Sequence, residues 1–333
     1  MSIKKANKFY DELDRHQRQF VADKQINANY SIARWIKFLS RAAAYDTYGD
    51  KATATLKKRS ALFIVLMIAG VVISFFTLYA LPLPLIALAL FLHNRSILKK
   101  FKHRDLNNSL RIFFLPVLQA LKDMAGEEAK LAASLDFSDP RSKQAENSRV
   151  FNRNVYTFES TYIMSKVRLK DHAILEFIVG DQIKDINWTK TSASGKTKHK
   201  NKSKVTHSCL IKLTVSKSTY KKELPDHTED VVIDRKGDLY ILKTKIKVKR
   251  TGKDHNLTPD QFFIGVRKIY AVLAGEAPTQ QDIDEAHFHD DDGYIPYMIF
   301  ADDYFDDYDY DSFDYQDSGY FGDEEDGTSI FDS

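Results

Sequence analysis

Residues 61–92 read ALFIVLMIAGVVISFFTLYALPLPLIALALFL and hold no charged side chain. No other stretch narrows the choice of folds so far. A membrane span takes about 20 apolar residues, since the hydrocarbon layer is about 30 Å thick and a helix rises about 1.5 Å per residue. One helix over the whole run would overshoot that thickness. Pro82 and Pro84 also interrupt it, because each removes an amide donor and clashes with a preceding carbonyl. Two arrangements remain: a single span from Ala61 to Ala80 followed by an interfacial piece, or a hairpin turning near Tyr79 to Pro84. The flanking charge favours the hairpin. Lys57, Lys58 and Arg59 precede the run, and Arg95, Lys99, Lys100, Lys102 and Arg104 follow it. Basic flanks stay in the cytoplasm, so two basic flanks require an even number of crossings. The expectation is an integral protein of the plasma (inner) membrane with both termini cytoplasmic. Its arms are short and need local thinning of the bilayer. A buried core hairpin is the competing reading.

Charge is divided unevenly along the chain. Twenty of the 46 acidic residues lie between Glu276 and Ser333, where Lys and Arg are absent. Residues 1–275 therefore carry 49 basic against 26 acidic residues, about +23 against −20 for the rest. Such asymmetry points to an anionic partner for the body, or to an acidic tail that keeps a basic protein in solution. Cys209 is the only cysteine, so no disulfide forms within the chain, as suits a reducing compartment. The N-terminus is polar and charged, unlike a secretory signal.

Residues 1–60 read as helical, with Ile32, Trp35, Ile36 and Leu39 on one stripe. Beyond the apolar run, Ile97, Phe101, Leu106, Leu110, Phe114, Val117 and Leu121 continue at helical spacing, with Pro116 placed to kink or divide the helix. These 93–135 helices pair with those of 1–60 as a stalk. Residues 136–152 are polar, carry Pro140 and read as a linker.

From Val155 the period shifts to two. Strands are expected over Tyr156 to Leu169, Ala173 to Val179, Val205 to Val215, Asp230 to Ile233 and Leu239 to Val248, with turns at Asp171-His172 and 235–238. In the last strand Leu242, Thr244, Ile246 and Val248 face a core, and Lys243, Lys245, Lys247 and Lys249 face away. In SASGKTKHKNKSK, Lys196, Lys198, Lys200, Lys202 and Lys204 occupy alternate positions, so an extended backbone projects all five amines together. These nine lysines are the candidate anion-binding residues, suited to lipid headgroups or phosphates. The competing reading is a solvated hairpin whose lysines prevent edge-to-edge pairing. Thr258, Pro259 and Gln261 form a helix start, and Gly275 a helix end.

The succession VRLKDHAILEF, SGKTKHKNKSK and an alternating strand resembles uncharacterised bacterial membrane proteins with a membrane hairpin and a cytosolic basic β domain. That resemblance implies topology only and brings no activity or site residues.

Other motifs fail on spacing. Gly195-Lys196-Thr197 lacks the earlier glycine of a phosphate loop, position 190 being Lys190. His287, His289 and Asp290 lack a further spaced ligand, and Asp290-Asp291-Asp292-Gly293 lacks the alternating ligands of a calcium loop. No metal, cofactor or catalytic constellation is expected, and the chain reads as a non-enzyme. Residues 276–333 alternate acids with Tyr and Phe, as expected of a disordered tail able to meet lysines by charge and cation–π contact.

The expected fold is an α+β membrane protein. Its parts are N-terminal helices (1–60), a transmembrane hairpin (61–92), post-membrane helices forming a helical stalk (93–135) and a linker (136–152). A cytosolic antiparallel basic β domain closed by a helix (153–275) and a disordered acidic-aromatic tail (276–333) follow. The expected function is a membrane-tethered interaction or scaffold protein whose basic domain binds anionic lipid or an acidic protein partner, modulated by the tail. The alternative is a membrane-anchored nucleic-acid binder.

Overall fold

The structure is a computed structural model that describes residues 2–77, 82–151, 153–192, 195–219, 224, 228, 230–249 and 257–274. The expected tail lies outside the described residues, as does the middle of the apolar run. Two short helices, α1 (Ser2–Asp11) and α2 (Arg15–Asp23), open the chain. Strand β1 (Gln25–Ser31) leads directly into the long helix α3 (Ile32–Ser74), whose start is capped by the Ser31 hydroxyl accepting from the Arg34 amide. Helix α4 (Pro82–His103) returns beside it. A π-turn over Leu110–Phe114 precedes α5 (Leu115–Ala125), where Pro116 supplies no amide to the ladder.

The remaining strands are β2 (Lys130–Asp136), β3 (Glu146–Val150), β4 (Arg153–Arg168), β5 (Ile174–Thr191), β6 (Thr197–Ser216), β7 (Val232–Lys236) and β8 (Leu239–Lys249). Helix α6 (Pro259–Ala274) follows, with Thr258 and Gln261 exchanging capping-box hydrogen bonds. The sheet is antiparallel with order β1-β2-β4-β5-β6-β8-β7, and β3 pairs with the far end of β4.

One face of the sheet is apolar and covered by helices. Leu131, Val167, Phe177, Val179, Cys209, Ile211, Leu213 and Leu242 on the strands join Trp35, Leu39, Phe113, Phe114, Phe262 and Ile269 on the helices in one buried core. Gly265 makes the approach of α6 possible: a side-chain carbon there would meet Ile211 at 2.8 Å and Ile246 at 2.9 Å. Cys209 is buried, and burial pushes its thiol up out of the reactive range.

Several expectations are corrected here. No helix among the described residues is long and apolar enough to cross a membrane. This overturns the α+β membrane fold class, the transmembrane hairpin, and integral membrane attachment. With them go an inner-membrane location and the two cytoplasmic termini deduced from crossings. The physical reason lies in how the run is divided. In α3 the apolar stretch begins only after Lys57, Lys58 and Arg59. In α4 it starts at Pro82 and is cut at His93, Asn94 and Arg95. The stalk is also replaced: the first half of α3 lies on the sheet, with the Trp35 indole donating to the Leu131 carbonyl at 2.9 Å. Residues 1–60 contain β1, residues 93–135 contain the start of β2, and the linker contains β3.

Where α3 leaves the sheet, Asp46 joins it to the α4–α5 connection. It is 3% exposed, accepts from the Leu106 amide at 3.0 Å and pairs with Arg111 at 3.2 Å. Burial outweighs both contacts and pushes its carboxyl from 3.8 up to about 6. A raised carboxyl binds its proton more tightly in the folded chain. Its contribution to stability is therefore favourable near pH 4 and is lost as pH rises through about 6. Asp46→Asn keeps an acceptor for Leu106 and removes the titration. In urea unfolding series, the variant should gain on the wild type by roughly 3 kcal/mol between about pH 4 and pH 7, since each tenfold change in proton affinity is worth about 1.4 kcal/mol. A difference that stays constant with pH would show that Asp46 does not titrate in that range.

Candidate anion-binding face

Among the described residues no helix lies on the second face of the sheet, which is cationic. Its composition follows from register. Along β6 the even-numbered residues point away from the core, because Cys209, Ile211 and Leu213 point into it. Lys198, Lys200, Lys202 and Lys204 therefore share the outer face, and all four are exposed. Neighbouring amines along one strand start from Cα atoms roughly 6.6 Å apart, two residues at about 3.3 Å each. Pairing of β6 with β8 places Lys249 beside Thr206, Lys247 beside Ser208, Lys245 beside Leu210 and Lys243 beside Lys212. The two lysine stripes read from sequence thus form one face. Lys196 stands apart, in the turn before β6, where its carbonyl accepts from the Ser192 amide at 2.9 Å.

Pairing also recruits cations that the sequence reading missed. Lys184 lies beside Lys204, Trp188 beside Lys200 and Lys190 beside Lys198, while Arg153 pairs with Trp188 from the other side. The Arg153 guanidinium stands 5.5 Å from the Trp188 ring centroid. A sequence signal was present, since Lys184, Ile186, Trp188 and Lys190 alternate with period two. Placing them on this face required the pairing with β6.

Glu146 and Glu159 also lie on this face, in the rows of Lys204 and Thr206, with Glu159 accepting from the Gln182 amide at 2.8 Å, but the ion pairs of the face among the described residues lie at the core end. Glu176 pairs with Lys166 at 3.1 Å and Lys212 at 2.7 Å, and Asp234 pairs with Lys243 at 3.0 Å. Among the described residues no carboxylate forms an ion pair with Lys198, Lys200, Lys202, Lys204, Lys245, Lys247 or Lys249. Lys245 is pushed below its ordinary value, first by desolvation and then by the charge of Lys247. Far from the core, Arg149, Asn154, Asn187, Trp188, His199, Lys200 and Asn201 line a shallow open cleft.

A second polar grouping lies inside. Ser160, Asp181 and His207 form one cross-strand row on the core face. The His207 Nδ1 lies 2.6 Å from Asp181 Oδ1, and both side chains are nearly buried. The residue types are those of a hydrolytic triad, but the order is wrong. Asp181 stands between the serine and the imidazole, and His207 Nε2 meets no hydroxyl. The row is a buried junction where the strands leave the core. Among the described residues there is also no cluster of His, Cys, Asp and Glu able to hold a metal.

Comparison of the chain with protein-family models, with curated proteins and with solved structures yields no match.

Proposed function

We propose that this is an interaction protein whose outer sheet face binds an extended anionic surface, presented by lipid headgroups or by an acidic partner. The observation that supports the reading is the merging of two lysine stripes on a face that carries no helix among the described residues, with its ion pairs confined to the core end. Periodic amines on a stiff ribbon suit a repeating array of negative charge better than a single small anion. Replacing Lys198, Lys200, Lys202 and Lys204 with Gln should leave the unfolding transition unmoved, since all four side chains are exposed. At low salt the variant should bind anionic vesicles and an acidic polypeptide at least about tenfold more weakly, each lysine near a charged surface contributing up to about 1 kcal/mol. Unchanged affinity for both probes would reduce the lysines to guards against edge pairing.

Nucleic acid is the second reading, and Trp188 favours it. Its ring, flanked by Arg153 and Lys200, has the makings of a stacking platform for a base. Under that reading Trp188→Ala weakens binding of single-stranded nucleic acid and leaves vesicle binding unchanged.

A further inference from the structure

The α3–α4 hairpin carries the largest apolar surface of the described chain. Its seam is narrow. Ser60, Phe63, Met67, Gly70 and Ser74 are the partly or fully covered positions of α3 beyond Arg59, and Pro84, Ala87, Phe91 and Asn94 are their counterparts on α4. Gly70 lets the arms touch, since a side-chain carbon there would meet Pro84 at 3.0 Å. The Asn94 amide donates to the Leu56 carbonyl at 2.9 Å and the Ser60 hydroxyl at 2.7 Å, fixing the register at the base. Below that lock, Ala6 of α1 packs with Ala52, Leu56 and Phe101. The hairpin is a braced element with a defined direction.

Outside the seam the arms are apolar and open. Leu62, Val65, Ile68 and Val72 are between 52% and 62% exposed, and Phe75 and Phe76, at the far end, are 85% and 84% exposed. On a helical projection the exposed apolar positions of α3 cover every direction except the strip facing α4. A partner protein or a second copy covers one side of a hairpin. Only an apolar medium covers all the others. The base of the hairpin has the complementary charge. Lys57, Lys58, Arg59, Arg95, Lys99 and Lys100 are exposed there, and no Asp or Glu occurs between Asp50 and Asp105.

We propose that this hairpin is a lipid-embedding wedge, entering an anionic bilayer from one side and held at its base by the cationic collar. The contact is an insertion from one side and not a crossing. The longer arm, 60–76, measures roughly 25 Å and the shorter, 82–92, roughly 16 Å at about 1.5 Å per residue, so neither crosses a hydrocarbon layer of about 30 Å. The collar sits where phosphate headgroups lie, so it stops the wedge at that depth. This inference deepens the reading above by naming the anionic surface as a bilayer, yet it rests on different residues and a different force.

That difference separates the tests. Full-length protein is mixed with vesicles of phosphatidylcholine and phosphatidylserine, and binding is followed by flotation at low salt and at about 1 M salt, where the screening length falls to about 3 Å. Wild-type protein should remain bound at high salt, because burial of Phe75 and Phe76 does not depend on ions. Phe75→Glu with Phe76→Glu should lower high-salt binding at least about tenfold, each lost phenyl burial removing a large apolar term. Ile68→Glu with Val72→Glu, on the open side of α3, should act likewise. Neither pair should alter the circular dichroism or unfolding midpoint, since none of the four side chains lies in the core. The lysine-to-glutamine variant of β6 should lose low-salt binding alone. If it binds normally while the hairpin variants fail, the function proposed for the sheet face falls and the wedge stands. If wild-type binding vanishes at high salt, or the hairpin variants bind as wild type, the wedge falls. It also falls if the wild type forms dimers that Phe75→Glu with Phe76→Glu dissolves and shows no salt-resistant vesicle binding. The apolar surface is then an interface between copies.

Discussion

Trp35→Ala should destabilise the chain by about 4–5 kcal/mol, the upper end for truncating a buried aromatic. Trp35 is 0% exposed and touches Tyr30 and Phe38 through ring contacts with centroids 5.2 Å and 6.2 Å apart. Its indole also donates to Leu131, 96 residues away in sequence. Truncation therefore leaves a large cavity and a buried carbonyl without its donor, and both effects have the same sign. The site is where β1, β2 and α3 meet, so the cavity has no simple way to collapse. Urea unfolding followed by far-UV circular dichroism measures the loss. Trp35→Phe, which keeps most of the ring volume, should recover more than half of it. A loss below about 2 kcal/mol for the alanine variant would mean that α3 does not depend on this joint.

Phe262→Ala should cost about 4 kcal/mol. Phe262 is 0% exposed and has Phe177 at 4.9 Å, Phe263 at 5.0 Å and Phe113 at 6.0 Å, all edge-to-face. It is thus the point at which α6, β5 and the π-turn before α5 share one contact. Tyr270 donating to Asp171 at 2.7 Å adds a second attachment for α6, but an exposed one. Near-UV circular dichroism should lose amplitude along with the unfolding midpoint. Phe263→Ala, at a half-buried position, serves as the control and should cost less than half as much. Equal costs at both positions would argue that α6 is held by general apolar contact and not by this cluster.

The two truncations bear on what could be read from the chain beforehand. The last strand was legible because its pattern is local: Leu242 and Val248 are buried, Lys245 and Lys247 exposed, and Gly237 turns the hairpin with a positive φ of 56°. The cap at Thr258 and Gln261 was legible for the same reason. Strands β1 and β2 were not. QINANYS and KLAASLD are short, weakly apolar segments beside strong helices; the first becomes a strand by pairing with the second across most of the first half of the chain, and the second lies between it and β4. The apolar run misled through composition. Its lack of charge suggested two short membrane crossings separated at Pro82 and Pro84, whereas no helix among the described residues, α3 and α4 included, is long and apolar enough to cross. Of the candidate site, the spacing of the lysines was visible. Their union on one face was not, because it depends on which residue of β6 stands beside Lys249.

The far ends of β4, β5 and β6 carry their charges where the sheet no longer has a core. Residues 197–204 of β6 are all exposed, whereas from His207 onward every second residue is buried. Backbone pairing and a few exposed side-chain contacts, Arg141 with Asp185 and Ser203 and Arg153 over Trp188, hold that end together, so it opens at a small fraction of the energy needed to unfold the whole. Nearly every side chain on it is therefore replaceable in sign or shape at little expense to folding, while a comparable change at Cys209 or Ile211, a few positions along the same strand, strikes the core. Surface charge and foldability are written into separate halves of a single strand, and each is free to change without the other.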